Sequence, residues 1–255
     1  MKQENLPKNF GEELNKRLDF EWAYNALEGY EHYHSYTARG VMRMYQLRNE
    51  EAIECFDEAE RRFESPESDE LRYAYLLTQR ATVRLVQEYE DLSESAAVRT
   101  DAEVERLRGL KSDVEAVRRL RGKTIGFHHI ARGRFAEGLE QLEAVIAETT
   151  DPGYATLADG GASAAAHELG LFKQSRRHYE NAELCMAFLE HRADFCISVA
   201  RLMGMSKHWG WDGEYNRWLS TLEALECPTV TRDLLFHRFE LLYGRCKAGN
   251  SLVLA

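Results

Sequence analysis

The sequence predicts an all-α protein built as an α-solenoid of irregular helix hairpins. Helix-forming residues dominate almost all of the 255 positions, and only four are proline. The alternating β-branched runs typical of strands are missing, apart from a fragment at Thr229 to Thr231. Small residues recur in pairs separated by twelve positions, as they would where two helices of a hairpin face each other closely.

The first predicted element is one N-terminal helix within residues 1–30. Leu14, Leu18, Trp22 and Ala26 are spaced by four, which places them on one apolar stripe, and Gly29 follows as a helix breaker. We expect this helix to pack on the first repeat of an array that covers residues 31–255.

The following segment predicts two helices that separate at residues 47–49. Ala52, Phe56 and Ala59 mark the buried stripe of the second helix. Pro66 then lies in a cluster of turn and capping residues, ahead of a longer helix over residues 69–90.

Three hairpins share the twelve-residue spacing of small residues. The pairs are Gly40 with Ala52, Gly126 with Gly138, and Ser163 with Ser175. Four residues after each pair comes a larger side chain: Phe56, Leu142 and Tyr179. Two of the hairpins also carry a Gly-x-Phe turn signal, at Gly133 and at Gly170. The pattern therefore predicts close helix crossings, each wedged by one large residue.

This pattern resembles the tetratricopeptide repeat family, in which a small residue of the first helix faces a small residue that opens the second. The resemblance covers residues 33–64 and 119–190, and residues 69–112 and 195–227 by helical pattern only. Arg43 and His129 stand where the repeat has an aromatic residue, and the intervals between units are irregular. The resemblance implies a right-handed solenoid and an adaptor, chaperone-docking or regulatory role.

The last hairpin of the sequence has a first helix but no room for a second. Residues 231–243 predict a helix and Ala248 to Asn250 a turn, after which only Ser251 to Ala255 remain. Solenoids end in a capping helix with a polar outer face. We therefore expect an array truncated at its C-terminal end, continued by more chain or covered by a partner.

Composition argues against several classes of function. A formal net charge of −10 disfavours a nucleic-acid coat and an anionic-membrane binder. No apolar run approaches the 18 or so residues of a membrane span, and no signal-peptide core is present. Five scattered cysteines without a Cys-x-x-Cys pair are typical of reduced thiols, so we expect a cytoplasmic protein.

Motifs that carry catalysis are equally scarce. The sequence has no nucleophile elbow, zinc-helix or dinucleotide signature, and Gly122, Lys123 and Thr124 lack the earlier glycine of a phosphate loop. We expect no enzyme activity, metal or cofactor. Two alternatives stay open: a Cys/His or metal site assembled by tertiary proximity, and a ligand cage built from Trp209, Trp211, Tyr215 and Trp218 in place of core packing.

The predicted function is capture of a partner peptide or helix in a concave groove lined by first helices. Residues 118–134 contain six Lys or Arg and no acid, which indicates either a solvated, ion-paired outer face or a basic groove for a carboxylate-rich peptide or a nucleic-acid backbone. The predicted partner-binding residues are His34, Val41, Met44, Tyr45, Arg119, Arg121, Lys123, Phe127, Ile130 and His167, with Thr37, Leu157 and Ala164 beside them. The alternative is a ligand- or peptide-sensing domain that controls an attached or associated effector.

Overall fold

The computed structural model describes residues 8–63, 65, 69–91 and 93–239, which form helices joined by turns and contain no strand. The all-α prediction is confirmed. The helices are α1 (Phe10–Arg17), α2 (Phe20–Ala26), α3 (Tyr33–Tyr45), α4 (Asn49–Arg61), α5 (Glu70–Asp91), α6 (Glu94–Arg108), α7 (Glu115–Ala131), α8 (Phe135–Glu148), α9 (Pro152–Glu168), α10 (Phe172–Met186), α11 (Arg192–Trp209) and α12 (Asp212–Ala224). Residues 229–239 are also helical. The turn at 248–250, the apolar end at 251–255 and Pro66 lie outside the described residues.

The chain divides into two compact units, Met1–Arg121 and Gly122–Ala255, and the division falls within α7. Among the described residues, no helix has the length and apolar character needed to cross a membrane.

The prediction of a single N-terminal helix was wrong, because the first 30 residues contain two short helices. Leu18 adopts a left-handed conformation (φ 53°) that ends α1. Asp19 then caps α2, accepting a hydrogen bond of 2.9 Å from the backbone N–H of Trp22. The α2 helix packs on α3, where Phe20 stacks on Tyr45 with ring centroids 5.3 Å apart.

In unit 1 (Met1–Arg121), α3 and α4 form the first hairpin and α5 and α6 form a second. Gly40 lies directly on the ring of Phe56, where an added Cβ would approach Cζ to 2.8 Å. Glu60 joins α4 to the second hairpin, because it accepts hydrogen bonds from Arg80, Arg106 and, at 2.8 Å, the hydroxyl of Tyr73. The two hairpins are therefore held by an ion-pair network as well as by apolar packing.

The same turn closes four helix pairs. The second-to-last residue before the next helix has a positive φ: Leu47, Gly133, Gly170 and Gly210 have φ of 59°, 69°, 73° and 73°. In each turn the following N–H donates to the carbonyl five residues earlier, over 2.8 to 3.0 Å, and the next helix begins one residue later. The predicted Gly-x-Phe turns are confirmed, and Leu47 and Gly210 extend the pattern to two more hairpins.

In unit 2 (Gly122–Ala255), the predicted pairs of small residues meet across their hairpins. A Cβ added to Gly126 would lie 2.7 Å from Cγ of Leu142. The Ser163 hydroxyl donates to the carbonyl of Ser175 over 2.8 Å. Both contacts allow the paired helices to approach closely, as the spacing of twelve predicts.

Buried polar groups fix the neighbouring helices of unit 2 in register. His178 on α10 lies 2.7 Å from the carboxylate of Asp159 on α9 and 3.1 Å from that of Glu143 on α8. Tyr179 accepts a hydrogen bond of 2.6 Å from the indole N–H of Trp218, which ties α10 to α12. These partners satisfy groups whose burial would otherwise destabilise the fold.

Candidate functional site

Three of the predicted groove residues of unit 1 do not line a groove. Val41 and Met44 are buried, and Met44 is only 2% exposed. Tyr45 is half-buried beneath Phe20 of α2. The burial of Val41 and Met44, and the stacking of Phe20 on Tyr45, correct the prediction that these residues meet a partner.

His34, the fourth predicted residue on α3, belongs to an aromatic cluster. Its ring lies edge-on to Tyr33, with centroids 4.2 Å apart, and 4.8 Å from His32. Burial, the positive charge of Arg72 and the neighbouring His32 lower its pKa to about 4. The imidazole is therefore neutral at pH 7 and does not attract an acidic group by charge.

The predicted basic surface in unit 1 is engaged within the unit. Arg119 forms an ion pair of 3.0 Å with Glu115, which precedes it by one helical turn. Arg121 donates to the backbone carbonyl of Leu110. The positive charge of residues 118–134 is thus partly balanced by an acid just outside that stretch, and both Arg119 and Arg121 have partners within the unit.

In unit 2, Phe127 and Ile130 pack inside the helix layers. Ile130 is buried against Gly138 of α8, where an added Cβ would lie 2.7 Å from its Cγ1. Phe127 is half-buried and contacts α9 at Gly161. The prediction that Ile130 lines a groove was wrong, because its side chain has almost no exposed surface.

Lys123 is the predicted residue whose surroundings are unusual. It lies on the part of α7 that belongs to unit 2 and is mostly buried. Its ammonium nitrogen Nζ lies 5.3 Å from the ring centroid of Tyr154, in the first turn of α9. This distance is within the range of a cation–π interaction.

A second cation, Arg201 of α11, lies close enough to Lys123 for its positive charge to lower the pKa of that lysine. Arg201 is only 8% exposed, and its Cζ lies 5.1 Å from the ring centroid of Phe239. Its buried Nη1 has no hydrogen-bond partner among the described residues. A buried guanidinium normally has its N–H groups satisfied, so Nη1 is an unsatisfied donor in the isolated chain.

The electrostatics of Lys123 and Arg201, here called the cation pair, are unfavourable in the isolated chain. Burial, and then the positive charge of Arg201, lower the pKa of Lys123 to about 8. In the described parts of the chain, neither side chain forms an ion pair with a carboxylate. Two desolvated like charges repel each other, and an anion placed between them would relieve that repulsion. The arrangement can therefore bind an anion.

Arg201 is the residue that sequence reasoning missed. It is the one charged residue in the stretch from Cys196 to Ser206, in the middle of α11. A lone arginine within an apolar stretch is a signal for a buried, functional or paired charge. Arg201 is far from Lys123 in the sequence, so the sequence gave no reason to expect the two residues in one site.

The tryptophans of unit 2, the alternative ligand cage, pack mainly with one another and with the core. His167, a predicted partner-binding residue, stacks on Trp209 with centroids 4.5 Å apart. Trp218 is buried and donates to Tyr179. Trp211 lines a surface recess of about 450 Å³, but Glu214 there pairs with an arginine on either side, Arg176 and Arg217.

The described residues include no group of three His, Cys, Asp or Glu side chains arranged to hold a metal ion. Comparisons with protein-family models, curated proteins and solved structures give no match. Function must therefore be inferred from the cation pair and its surroundings.

Proposed function

We propose that unit 2 is a binding module that holds a partner peptide through one carboxylate of that peptide, placed at the cation pair. The observation that carries the proposal is the buried guanidinium of Arg201 with a free Nη1 beside the mostly buried Lys123, and no acid paired with either in the described chain. Two buried positive charges without an acidic partner lower the stability of the fold. Destabilising arrangements of this kind are concentrated at functional sites.

A carboxylate fits this site better than a polyanion does. The guanidinium fork matches the two oxygens of a carboxylate, and an ammonium group adds a point charge. The half-buried ring of Tyr154 lies beside Lys123 and offers apolar surface to the neighbouring residues of a peptide, whereas Phe239, against which Arg201 packs, is buried. The net charge of −10 repels a nucleic acid, which carries many negative charges, at long range. A single carboxylate is repelled much less, and the positive charges of Lys123 and Arg201 attract it at short range.

The architecture that we propose for unit 2 is a tetratricopeptide-like, right-handed solenoid. Its support is the recurring hairpin turn and the two close crossings at spacing twelve, Gly126 with Gly138 and Ser163 with Ser175. Lys123 and Arg201 lie on first helices of their hairpins, which face a concave surface in such an array. The proposal assigns binding and not catalysis to the chain, and a cytoplasmic location, which the scattered cysteines of the sequence favour.

A sensing role is the second candidate, and the position of Arg201 favours it. Its guanidinium lies against Phe239 in the helical residues 229–239, so an anion that draws Arg201 away would change the packing of those residues. A small anion would then alter the affinity of this stretch for an effector that packs against it.

The test uses an array of peptides of about twelve residues, each made once with its Asp and Glu residues and once with Asn or Gln in their places. We expect the best binders to lose about tenfold to a hundredfold in affinity when one particular carboxylate becomes an amide, as charge-assisted hydrogen bonds are lost. In Lys123→Gln and Arg201→Gln the same amide replacement should have little further effect, because the interaction partner is gone.

Lys207→Gln is the matched control, since Lys207 is an exposed lysine on α11 that also lies over an aromatic ring, Phe236. It should leave peptide affinity unchanged. Inorganic phosphate, added at constant ionic strength, forms a second arm. If phosphate stabilises the protein through Lys123 and Arg201 while no peptide depends on a carboxylate, the sensing role replaces peptide binding.

A further inference from the structure

Two of the helix turns of unit 2 are joined by aromatic rings into one surface. The turn between α9 and α10 and the turn between α11 and α12 meet through four rings, here called the turn cluster: His167, Phe172, Trp209 and Trp211. The centroid of the His167 ring lies 5.2 Å from that of Phe172 and 4.5 Å from that of Trp209. The ring of Trp209 lies 4.9 Å from that of Trp211. Side chains of both turns therefore contribute to a single patch.

Large apolar side chains at the turn cluster are exposed to solvent. Leu169, Leu171 and Phe172 have exposed fractions of 40%, 45% and 63%. Contiguous exposed apolar surface of this kind is typical of a site that another molecule covers. Aromatic residues, and tryptophan in particular, contribute most of the binding energy at protein interfaces. The turn cluster is therefore an interaction surface.

The same surface also contains a hollow. The recess of about 450 Å³ described above is lined by Trp211, Asp212, Gly213, Glu214 and Arg217. A Cβ added to Gly213 would contact nothing within 4 Å, so the glycine leaves this space open. Pockets of about 300 Å³ or more hold molecules larger than one aromatic ring. The turn cluster thus combines a projecting ring, Phe172, with a recess that can receive such a ring.

Two opposite charges flank the turn cluster. Lys173 directly follows the exposed ring of the first turn, and Asp212 directly follows the last ring of the second. Both side chains are exposed, and neither forms an ion pair within the described parts of the chain. The neighbouring Glu214 and Arg217, in contrast, pair with each other. One cation and one acid are therefore available to a molecule that covers the patch.

We propose that the turn cluster is the contact surface of a symmetric homodimer, in which a second copy of this chain covers it. In a twofold dimer a surface meets a copy of itself, so each projection must face a hollow and each cation an acid of that same surface. The turn cluster offers both matches, Phe172 with the recess at Trp211 and Lys173 with Asp212. An acidic peptide or an anionic membrane would match only the lysine. The proposal does not depend on the peptide site described above.

Sedimentation velocity of the full chain, from about 1 to 200 µM, should show a reversible monomer–dimer equilibrium. Phe172→Ser should weaken dimerisation at least about a hundredfold, because the twofold axis repeats the lost contact. Phe188→Ser is the matched control, since Phe188 is 71% exposed and lies just beyond the opposite end of α10. It should leave the dimer unchanged.

A charge exchange tests the symmetry itself. Lys173→Glu and Asp212→Lys should each weaken the dimer by about tenfold, because each places like charges opposite one another twice in the dimer. The double variant restores opposite charges at both contacts, so its affinity should return to within about threefold of the parent. A protein of another sequence that covered the patch would give no such restoration.

Circular dichroism checks that each variant has folded, which we expect because every substituted side chain is exposed. Where a charge-reversed variant has not folded, Lys173→Gln or Asp212→Asn replaces it and should weaken the dimer by about threefold. A parent that remains monomeric up to about 200 µM would overturn the proposal. Equal losses in Phe172→Ser and Phe188→Ser, or a double variant no better than the single ones, would do the same.

Discussion

Replacing Lys123 with methionine should stabilise the protein while removing its proposed binding function. The reason is the charge on Lys123, which the folded chain holds at a cost because its pKa falls from 10.5 to about 8. A drop of about 2.5 units corresponds to about 3 kcal/mol at about 1.4 kcal/mol per unit. Methionine keeps the length and apolar stem of lysine without the charge.

Part of this gain is offset by what the ammonium group contributes. Its cation–π contact with Tyr154 stabilises the native state by about 0.5 to 1 kcal/mol, and methionine loses that contact. We therefore expect Lys123→Met to raise the free energy of unfolding by about 2 kcal/mol at pH 7.

The pH dependence gives the prediction its sign. Below pH 8 both the folded and the unfolded chain carry the Lys123 proton, so the folded state bears the full penalty. Between pH 8 and 10.5 only the unfolded chain still holds the proton, and the penalty falls as pH rises. The stability difference between Lys123→Met and the parent should thus shrink to below about 1 kcal/mol at about pH 10.

Denaturant unfolding of parent and variant at pH 7 and pH 10 measures this difference, since the other titrating groups are common to both proteins. Lys207→Met makes the same chemical change at an exposed lysine over Phe236 and should shift stability by less than about 0.5 kcal/mol. A variant no more stable than the parent at pH 7, or equally stabilised at both pH values, would refute the reasoning.

Three further predictions concern the fold, each measured by thermal or denaturant unfolding against the parent. Gly126→Leu should destabilise by about 1 to 3 kcal/mol, because its side chain would overlap Leu142; an unchanged melting temperature would show that this crossing is loose. Asp19→Ala should cost about 1 kcal/mol through the lost cap at Trp22, and Asp19→Asn should retain most of that stability. Gly170→Ala should cost about 1 kcal/mol, since a φ of 73° strains any residue with a Cβ; a neutral result would contradict the turn geometry.

The hairpins were predictable because their determinants are local. A helix needs a stripe of apolar residues at helical spacing, and a close crossing needs small residues at matching positions. Gly126 with Gly138 shows this directly, as does the turn at Gly133, where glycine accepts a positive φ at low cost. The helix break at Leu18 was not predicted, because the stripe of apolar residues at helical spacing continues through it. A single capping residue such as Asp19 indicates a helix start less strongly than that stripe indicates one continuous helix.

The candidate site was only half predictable, for a different reason. Lys123 was named from the sequence, but its importance was attributed to a basic run whose other members, such as Arg119, are paired inside the fold. Whether a charge is free depends on which groups face it from other helices, and those distances are not encoded in any short stretch of sequence.

The sequence by itself determined the helical class, the hairpin spacing and the turns, because these arise from interactions between residues close along the chain. Only the tertiary structure decided that Met44 and Ile130 belong to the core and that α2 packs on α3. It also decided that Arg201 lies near Lys123. Burial and electrostatic pairing are properties of packed helices, and residues distant in sequence acquire them only when the chain folds.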